Sequence, residues 1–150
     1  MGGSQLILTG VGLKATYNPS ATLVGVPPII ENVTTPVGEL RAAGLKDAHH
    51  VIQDAAVRDL PGYNTQLAPG VQLQGPSTAI GSPHYLATQI QRMSGGGTYA
   101  AERAIAADSL RAAGYSEAYI EQALSESDTY FQSIGVTPST PTRIPGNRPR

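Results

Sequence analysis

The sequence predicts an α+β fold, in which a small core of two short strands and one helix is followed by further helices. Three observations support this prediction. An apolar, strand-like segment (AHHVIQ) occupies residues 48–53, and an alternating segment (GVQLQ) occupies residues 70–74, with turn residues between them. Beyond residue 82, apolar residues recur at helical spacing.

Capping residues set the expected boundaries of the helices. Thr35 and Pro36 predict the start of a short helix, with threonine as the N-cap and proline at the first helical position, and Gly44 lies just beyond its end. One or two helical turns are expected over residues 54–60. Three longer helices are each expected to begin after a hydroxyl-bearing N-cap, at Ser82, Thr98 and Ser116.

Composition divides the chain into three segments. Residues 1–35 are rich in Gly, Pro, Thr and Val and are expected to form an extended arm or linker, with a short strand over residues 5–9. Residues 36–135 are expected to form the folded domain. Residues 136–150 contain four prolines and no apolar periodicity, which predicts an extended, poorly packed tail.

Composition also excludes several classes of protein. The chain contains no cysteine, which excludes a disulfide scaffold, a zinc knuckle and a thiol nucleophile. It contains no apolar run long enough to span a membrane. The formal net charge of −1 conceals an uneven distribution, because residues 61–98 hold no acid whereas residues 99–135 are acidic. A polyanion can therefore approach the middle of the chain without meeting a carboxylate from that stretch.

The three histidines are the candidate chemical groups. His49 and His50 are adjacent in the first core strand, and His84 is expected in the first turn of a helix. Because adjacent side chains of a strand point to opposite faces, His49 and His50 are expected to do different jobs, one binding a metal ion and the other accepting a proton. Two strands followed by a helix that opens with a histidine can bring His49 and His84 onto one ion.

This layout resembles the HNH/endonuclease VII (ββα-metal) superfamily of nucleases, and in particular the bacterial polymorphic-toxin families named for an AHH or GHH tripeptide. The resemblance rests on the AHH tripeptide at residues 48–50, Asn64 in the loop, the strand at residues 70–74 and His84. It covers residues 45–95. A ββα-metal core with additional C-terminal helices is the fold that the resemblance implies.

The resemblance also implies a role for each of these residues. His49 and His84 would bind one divalent metal ion. His50 would be the general base that activates water for attack on a phosphodiester. Asn64 would fix the His50 ring and the loop between the two strands.

The chain departs from the family pattern at two positions. Many members carry a second helical histidine four residues after the first, where this chain has Thr88. Two imidazoles leave room for water and phosphate oxygens, which favours Mg²⁺ or Mn²⁺ over Zn²⁺, with Thr88 touching the ion through water. The family often places its asparagine directly before the second strand, where this chain has Pro69, so turn formation is the alternative role for Asn64.

Charged residues near the histidines are candidates for supporting roles. Asp47 and Asp54 flank the histidine pair, and either carboxylate can orient a histidine. A solvated strand start is the alternative for Asp47. The candidate phosphate contacts, each with an ordinary surface charge as the alternative, are Lys46, Arg58, Arg92 and Arg103.

The leading hypothesis is a metal-dependent endonuclease that hydrolyses DNA and forms the C-terminal part of a secreted antibacterial effector. The resemblance implies upstream delivery domains, a bacterial secretion system that brings the chain into the cytoplasm of a target cell, and a cognate immunity protein. The alternative is a non-catalytic helical interaction module in which the histidines are structural and residues 99–135 form the binding face. A metal hydrolase acting on another ester or amide is disfavoured, because an acidic ligand or glutamate base is missing.

Overall fold

The computed structural model describes residues 31–93 and 95–146, together with the backbone of two strands nearer the N-terminus. The chain divides into two compact units, Met1–Asn32 and Val33–Arg150. In the first unit, β1 (Ile7–Thr9) pairs antiparallel with β2 (Lys14–Thr16). The strand expected over residues 5–9 is confirmed where it is described, and apart from β1 and β2 the predicted arm before residue 31 lies outside the described residues.

The second unit contains the predicted strands and helices, which confirms the α+β class. Its first part holds short elements, namely β3 (Thr35–Pro36), α1 (Val37–Ala42), β4 (Ala48–His50), α2 (Asp54–Val57) and β5 (Pro69–Gln72). Its second part holds three longer helices, namely α3 (Pro83–Arg92), α4 (Tyr99–Ala112) and α5 (Glu117–Ser133). Among the described residues, every helix is too short or too polar to cross a bilayer.

A three-stranded antiparallel sheet positions the histidine pair. β5 lies in its centre between β3 and β4, and His49 and His50 of β4 stand opposite Val71 and Gly70. Gly70 allows α1 to pack directly on the sheet, since a Cβ added there would collide with Cγ2 of Val37 and lie 3.1 Å from the His49 carbonyl oxygen. The sheet therefore has no room for a side chain at position 70.

Replacing Gly70 with alanine is expected to destabilise the domain by about 1–3 kcal/mol, the usual cost of forcing extra volume into a packed interior. The displaced backbone includes the His49 carbonyl, so the site shifts with it. The loss of stability is measured as the difference in the free energy of unfolding in urea. Gly146→Ala is the matched control, because a Cβ at this exposed position meets nothing within 4 Å. Equal stability of the two variants would contradict this account of the sheet.

The predicted N-caps are correct for the three long helices and wrong for α1. The hydroxyls of Ser82, Thr98 and Ser116 each accept a hydrogen bond from a backbone N–H in the first turn. Thr35 does not cap α1, because it is recruited into the sheet as part of β3 and Pro36 takes the cap position. The first free N–H groups of α1 bond instead to backbone carbonyls of the loop that precedes β5.

Residues 136–146 pack against the rest of the second unit, which contradicts the expectation of a poorly packed tail there, and residues 147–150 lie outside the described residues. The first N–H groups of α4, those of Tyr99 and Ala100, donate to the carbonyls of Thr140 and Pro138. The Arg143 N–H donates to the Ala56 carbonyl, and Val136 is buried. Prolines lack a donor but keep the carbonyl, so a proline-rich segment can still satisfy a helix N-terminus.

A continuous apolar core joins the sheet to the long helices. Its largest fully buried side chains are those of Val51, Val57, Val71, Leu73, Leu110, Ile120, Leu124 and Phe131. Tyr119 and Tyr130 of α5 lie half-buried at the edge of the core. Their hydroxyls donate to the carbonyls of Val33 and Asn64, which explains why these rings stop short of full burial.

Candidate active site

The adjacent histidines of β4 face different surroundings, as the strand alternation predicts. His49 is buried with 7% of its surface exposed, and His50 is half-buried. The ring of His49 lies against the ring of His84, whereas the ring of His50 contacts Thr65 in the loop that leads to β5. The sheet thus assigns the two imidazoles to two separate sets of partners.

His49 and His84 form a close pair between β4 and the first turn of α3. Their ring centroids are 5.3 Å apart, and the rings are nearly perpendicular. Nδ1 of His84 lies 3.1 Å from the carbonyl oxygen of Gly75, and a carbonyl only accepts, so Nδ1 carries the proton. In the neutral form of the ring, this tautomer leaves the lone pair on Nε2. The Asp47 carboxylate lies 3.8 Å from the same Nδ1, where its negative charge favours this arrangement.

The surroundings of His49 keep its ring uncharged. Burial is the largest cause, and the neighbouring charges of His84 and His50 add to it, so the pKa of His49 falls from 6.5 to about 3. Nε2 of His49 lies 3.0 Å from the carboxamide nitrogen of Gln91, which donates to its lone pair. At neutral pH the ring is therefore a neutral electron-pair donor, the form in which histidine binds metals.

The buried His49 predicts acid sensitivity of the metal-free domain. Because its pKa is lower in the folded state, the unfolded chain binds more protons at this residue between pH 6.5 and about 3. Protonation of His49 in the unfolded chain does not affect stability above pH 6.5. Below that pH it lowers the free energy of unfolding by up to about 1.4 kcal/mol for each pH unit. Urea unfolding between pH 7.5 and 5 should show a weaker pH dependence for His49→Gln than for the wild type. Identical slopes for the two chains would contradict the burial argument.

The loop before β5 contacts only one of the two ring nitrogens of His50. Its Nε2 lies 3.0 Å from the Thr65 carbonyl oxygen and 3.3 Å from the Thr65 hydroxyl. The carbonyl requires a proton on Nε2, which leaves Nδ1 as the basic nitrogen. Burial lowers the pKa of His50, and the Thr65 carbonyl and the Asp54 carboxylate oppose that change. His50 is therefore mainly neutral at pH 7 and able to accept a proton at Nδ1.

Polar side chains line an open cavity beside His50. The cavity measures about 370 Å³ and is lined by Asp54, Arg58, Tyr63 and Thr65. Asp54 accepts hydrogen bonds from the Tyr63 hydroxyl at 3.0 Å and from the Arg58 guanidinium at 2.7 Å. Despite partial burial, hydrogen bonds from Thr65 and Tyr63 hold the pKa of Asp54 below its usual value. A carboxylate thus stands close to the imidazole without contacting it directly.

A family model for HNH/Endo VII superfamily toxins with an SHH signature matches residues 43–132. The match covers more than half of the chain and includes β4, β5 and all three histidines. The chain belongs to this toxin family. Its only adjacent histidine pair is preceded by Ala48, where the signature has serine. No curated protein and no solved structure matches the chain at a significant level.

The histidine pair fits the divalent metal ion that nucleases of this superfamily generally use. His84 donates its Nδ1–H to a backbone carbonyl, which is how a metal-binding histidine is commonly oriented. His49 is neutral and adjacent to it. Among residues 31–93 and 95–146, no group of three or more histidine and acidic side chains converges as a ready-made metal cage. The donor set of the toxin domain therefore suits an ion that keeps several water ligands.

Asn64 lies in the loop before β5 but is not the residue in contact with His50. Its side-chain oxygen accepts the backbone N–H of Gln66 at 2.8 Å and that of Leu67 at 3.3 Å, an arrangement that closes the turn. Its own N–H bonds to the Tyr130 hydroxyl. The geometry thus places Asn64 in the turn, the alternative role given above, while the adjacent Thr65 contacts the His50 ring.

The other predicted site residues of the toxin domain occupy different places. Thr88 lies one turn after His84, and its hydroxyl donates to the His84 carbonyl at 2.8 Å. Lys46, Arg58 and Arg92 are exposed, as residues that contact phosphate must be. Arg58 is also paired with Asp54, at 2.7 Å. Arg103 is paired with Asp128, at 2.9 Å. That pair belongs to the packing of α4 against α5.

Sequence reasoning missed three residues that the structure places beside the histidines. Gln91 follows His84 by seven residues, so the helical repeat could have placed both on one face of α3. Thr65 contacts His50 through its backbone carbonyl as well as its hydroxyl, and a backbone contact leaves no signal in residue type. Arg41 is close enough for its charge to lower the pKa of His50, which adds a cation on that side of the site.

Proposed function

We propose that the toxin domain is a metal-dependent endonuclease that hydrolyses phosphodiester bonds of DNA. The observation that carries the proposal is the separation of the adjacent histidines into two roles. His49 pairs with His84, while His50 is half-exposed and has its Nδ1 free of the Thr65 contact. A nuclease of this kind needs both a pair of metal-binding side chains and a general base that is not itself a metal ligand.

The proposed base is His50 and the proton it takes is that of the attacking water. Nδ1 accepts the proton while the water oxygen forms a bond to phosphorus and the bond from phosphorus to the leaving oxygen breaks. The Thr65 carbonyl holds the Nε2–H throughout, which fixes the ring orientation. The negative charge of Asp54 stabilises the imidazolium that forms, since it raises the pKa of His50.

His49 and His84 are the proposed metal ligands. The bound ion would supply positive charge at the scissile phosphate and its leaving oxygen. The two neutral imidazoles leave the remaining positions to water and phosphate oxygens, so Mg²⁺ or Mn²⁺ is preferred and Zn²⁺ is the alternative. Asp47 would support His84 from outside the metal shell through its carboxylate. Thr88 would reach the ion through water.

Exposed cations around the histidines are the proposed DNA contacts. Lys46, Arg58 and Arg92 are joined in this role by Arg41, all of them exposed. The absence of acids between residues 61 and 98 of the sequence removes a source of repulsion for the phosphate backbone. The same acid-free stretch is the proposed target of an acidic immunity protein, which would block access to the site.

The biological setting that we propose follows from toxin-family membership. The domain would form the C-terminal part of a longer effector whose upstream domains deliver it through a bacterial secretion system. It would then act on DNA in the cytoplasm of the target cell. Expression of the active domain in a bacterial host would then require co-expression of the immunity protein.

A substrate panel tests the proposed function. The purified domain is incubated with supercoiled plasmid, single-stranded DNA and structured RNA at equal nucleotide concentration, with Mg²⁺ or Mn²⁺. Nicking of the plasmid with little loss of RNA supports a DNase. Preferential loss of RNA would overturn the DNA assignment. Intact substrates of all three kinds under every metal condition would favour a helical interaction module with structural histidines.

A further inference from the structure

Gln91 is the polar side chain that shares the buried space of the histidine pair. Only 6% of its surface is exposed, and its carboxamide lies 3.0 Å from Nε2 of His49. It lies on α3, two turns after His84. Burial of a carboxamide is costly unless polar partners are present, and the imidazole of His49 is one such partner.

We propose that Gln91 is a third protein ligand of the metal ion, through its carboxamide oxygen. The inference rests on the proposed metal centre at His49 and His84 and adds one residue to it. A carboxamide oxygen is a ligand that hard divalent cations accept. The chain would then hold its ion with two imidazole nitrogens and one amide oxygen.

The distance between the two side chains is compatible with a shared ion. Adjacent ligands of an octahedral Mg²⁺, with bonds of about 2.1 Å, lie about 3.0 Å from each other. That is the separation of the Gln91 carboxamide from Nε2 of His49. Without a cation the amide nitrogen faces the imidazole lone pair; half a turn of the carboxamide replaces that nitrogen with its oxygen. The oxygen and the lone pair of Nε2 then face one position.

The helix explains why Gln91 rather than Thr88 takes this role. The Thr88 hydroxyl donates to the His84 carbonyl, so it is turned toward the helix backbone. Gln91 lies nearly on the same face of α3 as His84, since seven residues make almost two turns. Its longer side chain contacts the ring of His49 from there. A glutamine two turns after the histidine thus replaces the family's histidine one turn after it.

Metal affinity tests the proposal independently of cleavage. Mn²⁺ binding is measured by titration calorimetry on the wild type, Gln91→Ala, Gln91→Glu and the control Gln89→Ala, which changes another face of α3. The alanine variant should bind Mn²⁺ at least ~10-fold more weakly. The glutamate variant should bind at least as tightly as the wild type, because a carboxylate oxygen is the stronger ligand for this ion. Urea unfolding of the metal-free variants verifies that each one folds.

A spectroscopic measurement separates a ligand from a residue that only orients His49. Protein labelled with ¹³C at the glutamine side-chain carbonyl is loaded with Mn²⁺ and studied by electron–nuclear double resonance. A ¹³C coupling that persists in Gln89→Ala and vanishes in Gln91→Ala supports the proposal. Mn²⁺ binding without any such coupling, or with unchanged affinity in Gln91→Ala, would overturn it and leave the proposed nuclease intact. Failure of the wild type to bind Mn²⁺ would overturn both.

Discussion

Replacing His50 with alanine is expected to lower the single-turnover rate of plasmid nicking by about 10²–10⁴-fold, the usual contribution of a positioned general base. The expectation follows from the free Nδ1 of His50, since Nε2 is engaged by the Thr65 carbonyl. The substitution removes the proton acceptor and leaves the pair of His49 and His84 in place. Mn²⁺ affinity should therefore stay near the wild-type value.

A second variant at the same position distinguishes chemistry from loop structure. His50→Gln keeps an N–H group near the Nε2 position for the Thr65 carbonyl but cannot accept a proton at neutral pH. It should be as inactive as His50→Ala while unfolding at a urea concentration closer to that of the wild type. Wild-type nicking rates in both variants would contradict the assignment of His50 as the base.

Replacing His84 with alanine is expected to weaken Mn²⁺ binding by about 100-fold or more, because even residues that only orient a ligand contribute 10–100-fold. In the proposed centre, His84 would offer Nε2 to the ion, because its Nδ1 is held by the Gly75 carbonyl. Nicking should fall with the affinity and recover partly at high Mn²⁺ concentration. Titration calorimetry and the metal dependence of the nicking rate measure the two effects.

Gln89→Ala is the matched control for the His84 variant, since it lies on the same helix outside the histidine pair. It should bind Mn²⁺ and nick plasmid as the wild type does. Unchanged Mn²⁺ affinity in His84→Ala would exclude His84 as a ligand. If His84→Ala also lost much of its folding stability, the histidines would be structural, as the interaction-module alternative requires.

Local signals in the sequence predicted most of the fold. Ser82, Thr98 and Ser116 identified the starts of the three long helices, because an N-cap hydroxyl acts on its own first turn. Thr35 misled the same reasoning, because pairing with β5 is a long-range interaction that the local pattern does not contain. The packing of the C-terminal segment on α4 was missed for the same reason.

In the candidate site, too, local signals could be predicted from the sequence and long-range contacts could not. The three histidines were found because they are rare in the chain and adjacent or at a helix start. The contact of His50 with the Thr65 carbonyl could not be predicted, because any residue offers a carbonyl. The contact of Gln91 with His49 depends on how α3 is rotated against β4, which only the packed structure defines.

The central claim is that the histidines of β4 and α3 form a metal-dependent catalytic centre. Its most direct test is the nicking of supercoiled plasmid by the wild-type domain before EDTA treatment, after it, and after Mn²⁺ is restored. The account predicts nicking that EDTA abolishes and restored Mn²⁺ recovers, with no recovery in His50→Ala. Nicking that persists at full rate in EDTA, or that Mn²⁺ restores equally in His50→Ala, would contradict the claim.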